Sequence, residues 1–204
     1  MLDAGLIEGG ILSSLYYLQN SSKFVLVPDI SISSFGKVGS VLLFSKKPLR
    51  EIREITPSSE SLTSNFITYA LFRKFLGQKV SFVPEGGEAL LVIGDRALNF
   101  PAERDFPYRY DIGELWFKET GLPAVFALFI VPRTWAVENP EKFAKLSLEL
   151  INSRETFFRE LNNLNLSEDL KRYLLNLDYR FREEHLKSLE LLQKLLREYY
   201  LKGF

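Results

Sequence analysis

Thr120-Gly121-Leu122-Pro123-Ala124-Val125-Phe126-Ala127-Leu128-Phe129-Ile130-Val131 is the stretch that decides the fold class. The residues before it, 112–119, have a helical pattern, and Gly121 is a natural stop because glycine enters the left-handed conformation without steric cost. Pro123 bars the helix from continuing, and the apolar run 124–131 then reads as a long strand. That run is too short to cross a bilayer. Helix, glycine stop, apolar strand is the grammar of an α/β protein.

The same alternation extends upstream. Short apolar, β-branched or aromatic runs at 4–7, 24–27, 40–45, 54–56, 80–83, 90–93 and 108–110 are candidate strands, interleaved with helical patterns such as 66–76. This order predicts a largely parallel sheet with crossover helices, in which ligands gather beyond the carboxyl ends of the strands. After residue 139 the pattern turns helical. Asn139-Pro140-Glu141 starts one helix, Ser167-Glu168-Asp169 a second, and 182–201 forms a third with Leu186, Leu189, Leu192, Leu195 and Leu196 on one side. The apolar heptads are not sustained, so the three helices are expected to pack on the sheet rather than dimerise.

Composition narrows the chemistry. The 204 residues carry 26 acidic and 26 basic side chains, so no net field favours nucleic acid or an anionic membrane. Any anion must be captured locally. With no cysteine, disulfides, thiolate metal sites and cysteine nucleophiles drop out. The N-terminal residues carry no basic segment ahead of an apolar one, so a cytoplasmic protein without a secretory signal is expected. The single histidine, His185, lacks a second histidine at helical spacing and reads as part of a solvated helix face. Neither a metal site nor a Ser-His-Asp triad is expected, and no glycine pattern indicates a nucleotide cofactor.

Three loops remain as candidate binding elements. In Pro57-Ser58-Ser59-Glu60-Ser61-Leu62-Thr63-Ser64, five hydroxyls precede a helix, more than capping requires. Hydroxyls and free N–H groups at a helix start also suit a carboxylate or phosphate. Ile93-Gly94-Asp95-Arg96-Ala97 ends a buried strand, with Gly94 permitting close backbone approach and Asp95 placed to cap the next helix. Gly121-Leu122-Pro123 is the third. Turn chemistry alone also explains the last two.

Taken in order, these segments resemble the chorismate dehydratase family. The pieces that carry the resemblance include Leu2-Asp3-Ala4-Gly5-Leu6-Ile7, Gly36-Lys37-Val38-Gly39-Ser40-Val41, Ser61-Leu62-Thr63-Ser64, Leu91-Val92-Ile93-Gly94-Asp95, Tyr110-Asp111-Ile112-Gly113 and Thr120-Gly121-Leu122-Pro123, with a weaker match over Tyr173-Leu174 and Leu177-Asp178-Tyr179-Arg180-Phe181. The resemblance implies the two-lobed fold of type 2 periplasmic binding proteins, with a helical C-terminal tail. Lobe 1 would comprise 1–46 and 127–204, and lobe 2 would comprise 47–126. Crossings at 41–47 and 126–132 would form the hinge. Such proteins begin with a further strand-helix segment, which is expected to precede residue 1 and is missing from this sequence.

The resemblance also implies an enzyme. It would convert chorismate to 3-[(1-carboxyvinyl)oxy]benzoate by eliminating water, with no cofactor and no metal, the substrate's own side-chain carboxylate serving as base. Ser40 is expected at the reacting centre, with Ser61, Thr63, Ser64, Gly94, Asp95, Gly121, Leu122 and Pro123 around the substrate. The expected partner is that small anion, not nucleic acid or membrane, and the sequence specifies no oligomeric state. Two alternatives stand beside this: 1,4-dihydroxy-6-naphthoate synthase, and a protein that binds a small anion without transforming it.

Overall fold

The computed structural model describes residues 8–101 and 105–200, so the expected strand at 4–7 lies outside the described residues. β1 (Gly10–Ser13), β2 (Phe24–Ser34) and β8 (Ala124–Pro132) form one sheet in the order β1-β8-β2. β3 (Val41–Ser45), β4 (Glu54–Thr56), β5 (Ser81–Phe82), β6 (Ala89–Ile93) and β7 (Tyr108–Asp111) form a second in the order β5-β4-β6-β3-β7. The expectation of a largely parallel sheet is corrected. The first sheet is antiparallel throughout, and in the second only β4 pairs in parallel, with β5 and β6. A parallel pair needs a crossover that returns to the same sheet. The connections β2 to β3 and β7 to β8 change sheet instead, so alternating runs do not dictate strand direction.

Those two changes of sheet occur at 35–40 and 112–123. The segments 41–47 and 126–132, expected as the crossings, begin within β3 and lie within β8, each belonging to a single sheet. Between the sheets lie α2 (Leu62–Ala70), which runs on into a π-helical turn at Leu71–Phe75, and α4 (Ile112–Thr120). α4 touches β3 and β7 on one side and β8 on the other, while α2 packs on α4 and β8. One core therefore runs through both sheets, joining Leu43, Ile55 and Leu91 to Phe66, Phe72, Trp116, Leu128 and Ile130. Each such side chain contributes about 1.5–3 kcal/mol by leaving water.

The tail comprises α5 (Arg133–Glu138), α6 (Pro140–Glu160), α7 (Glu168–Asn176) and α8 (Glu183–Tyr200). α6 covers one face of the three-stranded sheet through Phe143, Leu146 and Leu150, packed against Val27, Ile30 and Val131. α8 joins the main core through Leu189, Leu192, Leu195 and Leu196. Among the described residues no helix is long and apolar enough to cross a membrane.

His185 is buried, not solvated. The buried stripe of α8 runs through His185, Ser188, Leu189, Leu192, Leu195, Leu196 and Tyr199, while Leu186 is 46% exposed. The histidine thus takes the place on the apolar face that Leu186 was expected to occupy. Its Nδ1 accepts the Arg182 N–H at 3.1 Å, which puts the ring proton on Nε2, 2.9 Å from Ser33 Oγ. Around this contact the segment after α7 runs against β2. Asp178 N–H donates to Ser33 O at 2.8 Å and Ser33 N–H to Asp178 O at 2.9 Å. Further along β2, Asp29 sits in the left-handed region at φ 57, where its carboxylate pairs with the buried Arg154 at 2.9 Å and accepts the Phe181 N–H at 3.3 Å.

Burial pushes the Asp178 carboxyl up, but hydrogen bonds from His185, the Arg180 N–H and Arg182 outweigh it and hold the group at about 2, below its ordinary 3.8. A depressed carboxylate stabilises the fold above its unfolded pKa and loses that contribution as pH falls through the folded value. Between pH 4 and 2 the wild-type chain should therefore lose about 2 kcal/mol that Asp178→Asn does not lose. Urea unfolding curves of both proteins across that window check it, and parallel acid limbs would refute it.

Candidate functional site

A cleft of about 450 Å³ opens where the two sheets meet. Its floor includes Leu12, Ile32 and Phe126 from the three-stranded sheet, and its polar rim is set by the loop 36–40, the start of α2 and the end of β6.

The 36–40 loop is built around Asp111. The Asp111 carboxylate accepts N–H bonds from Val38 at 3.1 Å and Gly39 at 2.7 Å, and caps α4 by accepting the Glu114 N–H at 3.0 Å. Gly36 and Gly39 take φ values of 99 and 77, which only glycine adopts at little cost. Gly113 lets α4 come close, since a Cβ there would lie 2.6 Å from both Gly36 O and Ser34 Oγ. This clamp delivers Ser40 to the cleft. Its carbonyl accepts the Gly94 N–H at 2.8 Å, and its hydroxyl lies 2.9 Å from the Tyr173 hydroxyl on α7.

On the neighbouring wall, Ser61 caps α2. Its hydroxyl accepts the Ser64 N–H at 3.1 Å and donates to Ser64 Oγ at 2.9 Å. The approach to the helix is fixed by Asn65, whose side-chain amide pairs with the Ser58 N–H and carbonyl at 2.9 and 2.7 Å. The first N–H groups of any helix lack intrahelical acceptors, and Leu62, the first residue of α2, lines the cleft at this end. The helix dipole adds partial positive charge there.

Ser40, Ser61, Ser64 and Gly94 therefore line one cleft. Thr63 stands one layer behind. Its hydroxyl bonds Ser13 Oγ at 2.7 Å and accepts the Leu15 N–H at 3.1 Å, so it positions β1 rather than facing a ligand. Asp95 does not cap the next helix. Gly94 occupies the cap position at φ 63, and Asp95 is the exposed first residue of α3 (Asp95–Leu98), outside the cleft lining. Gly121, Leu122 and Pro123 also fall outside it. Gly121 is the left-handed C-cap of α4, donating to Phe117 O at 2.8 Å, and Pro123 O accepts the Ser188 hydroxyl at 2.6 Å. Their specificity in sequence serves helix termination and the docking of α8.

Four polar lining residues were not singled out as site residues: Tyr173, Ser13, Ser59 and Glu60. Tyr173 lies in the weakly matching helical tail, far from Ser40 in sequence, so nothing local announces it. Among the described residues Glu60 is the one charged side chain lining the cleft, and its carboxylate faces Arg96 at 3.8 Å with both groups largely exposed. No histidine, lysine or arginine among the described residues lines the cleft, so apart from Glu60 its polarity is that of hydroxyls and amides. Among the described residues no three histidine or acidic side chains converge as a metal site would require. The arrangement suits orientation of an anionic molecule by neutral donors.

Asp111→Ala should release three N–H groups at once and cost about 2–3 kcal/mol. Denaturant midpoints measure this; a change below about 0.5 kcal/mol would show that other contacts hold the loop.

Residues 1–198 match the model of a protein family described as menaquinone biosynthesis. A chorismate dehydratase from Thermus thermophilus is 30% identical in an alignment of 162 residues that covers 69% of this chain and 58% of that protein. The chain thus spans less than two thirds of this relative's length. Among solved structures, protein AF1704 from Archaeoglobus fulgidus is similar with a TM-score of 0.62 at 15% identity, covering 98% of this chain and 81% of the other. The periplasmic aliphatic sulphonate binding protein SsuA from Escherichia coli gives 0.58 at 13% identity, covering 100% and 78%. At such identities the likeness speaks for the fold alone, which is that of the periplasmic-binding-protein-like proteins.

Proposed function

This chain belongs to the menaquinone biosynthesis family, and from that premise we propose that its cleft binds chorismate and eliminates water from it, giving 3-[(1-carboxyvinyl)oxy]benzoate. The observation that carries this reading is the convergence of the Ser40, Ser61 and Ser64 hydroxyls at the start of α2 in a cleft that, among the described residues, no cationic side chain lines. The similarity to the Thermus chorismate dehydratase supports the same substrate.

The reaction breaks the ring carbon–oxygen bond of the hydroxyl and a neighbouring carbon–hydrogen bond, and the ring becomes aromatic. Aromatisation supplies driving force, so orientation matters more than a strong base. One carboxylate would accept hydrogen bonds at the start of α2, where donors are preorganised. The ring hydroxyl would lie beside Ser40, whose O–H would hydrogen-bond the departing oxygen, and any proton it gave up would return from the carboxylate that takes the ring proton. The substrate's second carboxylate would take the ring proton, in keeping with a cleft that no histidine lines among the described residues. In this reading the seam between the lobes lies at 35–40 and 112–123, where the chain changes sheet.

Incubating the purified chain with chorismate and following the aromatic product by chromatography and mass spectrometry tests the proposal. Conversion is expected, and Ser40→Ala should lower kcat at least about tenfold. Chorismate binding without turnover would point to an anion-binding protein. Turnover of a dehypoxanthine futalosine derivative instead would point to the naphthoate synthase.

A further inference from the structure

We infer that Tyr173 is a positioning residue for this reaction: its phenol donates a hydrogen bond to Ser40 Oγ, leaving the serine's own proton free to point into the cleft. This rests on the assignment of Ser40 to the reacting centre.

The backbone around Ser40 has little freedom. Gly39 N–H is held by Asp111 at 2.7 Å, and the Ser40 carbonyl by Gly94 at 2.8 Å. What remains is the side-chain rotamer and the direction of one hydroxyl proton. Both are set by the 2.9 Å contact with the Tyr173 hydroxyl. A serine hydroxyl has one proton and two lone pairs. If it donated to Tyr173, nothing would be left to offer a leaving oxygen. A phenol is the better donor of the two groups, because its oxygen lone pair is delocalised into the ring. The favoured arrangement is Tyr173 O–H to Ser40 Oγ, with Ser40 O–H directed at the ligand.

The tail is built to hold the phenol there. Tyr173 lies against Gly39, where a Cβ would be 3.6 Å from the ring Cδ2. Leu177, one turn further along, is buried and lines the same cleft. Immediately after it, Asp178 exchanges backbone hydrogen bonds with Ser33, and the buried His185 bonds the Ser33 hydroxyl at 2.9 Å. The polar cluster under α8 thereby fixes the end of α7, and α7 fixes the hydroxyl that orients Ser40. The C-terminal helices contribute a working wall of the cleft as well as a cover for the sheet.

The Tyr173→Phe variant keeps the ring and removes the hydroxyl. Expected are a kcat lowered by about tenfold, a KM changed by less than about twofold and an unaltered melting temperature. Ser40→Ala combined with Tyr173→Phe should be no slower than Ser40→Ala alone, because the phenol acts only through the serine. Wild-type kcat in Tyr173→Phe, a rise confined to KM, or a double variant slower by the product of the single effects would each overturn the inference. Crystal structures of the wild-type chain and of Tyr173→Phe supply a readout that needs no turnover. Ser40 Oγ should occupy one rotamer in the first and spread over two in the second, and an unchanged single rotamer would overturn the inference. Absence of chorismate turnover in the wild-type chain would instead count against the proposed reaction.

Discussion

The structure turns on one carboxylate. Asp111 ends β7, caps α4 and holds the Val38 and Gly39 N–H groups, so a single side chain ties the return from the second sheet to the passage into it. Both changes of sheet meet at this point. Without the clamp, a loop with glycines at positions 36 and 39 would sample many conformations, and Ser40 would have no fixed direction. With it, Ser40 sits at the mouth of β3 with its carbonyl tied to Gly94, across from the start of α2.

The second constraint comes from the opposite end of the chain. The last three helices do not form a separate unit. α6 takes one face of the three-stranded sheet, α8 joins the core shared by both sheets, and the segment between α7 and α8 forms a single β-bridge to β2 through Asp178 and Ser33. His185, Ser33 and Asp178 form the buried polar joint, with the imidazole accepting from a backbone amide on one side and facing a hydroxyl on the other. A histidine so satisfied has a structural use, although a lone histidine near serine and aspartate superficially resembles a catalytic set. Its Nδ1, which a triad would turn toward the carboxylate, is occupied by Arg182 N–H.

Much of the architecture was legible from pattern. The apolar runs at 40–45, 54–56, 90–93 and 124–131 fall on β3, β4, β6 and β8, and α6 and α7 start at the caps read for them, Asn139 and Ser167. Strand direction was not legible, because it depends on which sheet each connection enters. β1 and α1 (Ser14–Gln19) were missed, since glycine and serine, which occupy positions 9, 10, 13 and 14, are weak strand and helix formers. Ser13 is in fact the N-cap of α1 and binds Thr63. In the site, the serine cluster was recoverable because its hydroxyls are local in sequence and exceed the needs of capping. Tyr173 was not, because its partner lies 133 residues away. Gly121-Leu122-Pro123 illustrates the converse, a specific motif whose job is to end a helix and seat another.

The central claim is that neutral donors at the start of α2 and the Ser40 hydroxyl together orient one dicarboxylate. A crystal structure of this chain with chorismate bound is the most direct measurement. The account predicts a carboxylate within hydrogen-bond distance of the Leu62 or Thr63 N–H and of a Ser61 or Ser64 hydroxyl, with the ring hydroxyl beside Ser40. Chorismate seated elsewhere, such as the apolar hollow between α6 and β2 lined by Ile30, Leu150 and Phe157, would contradict it.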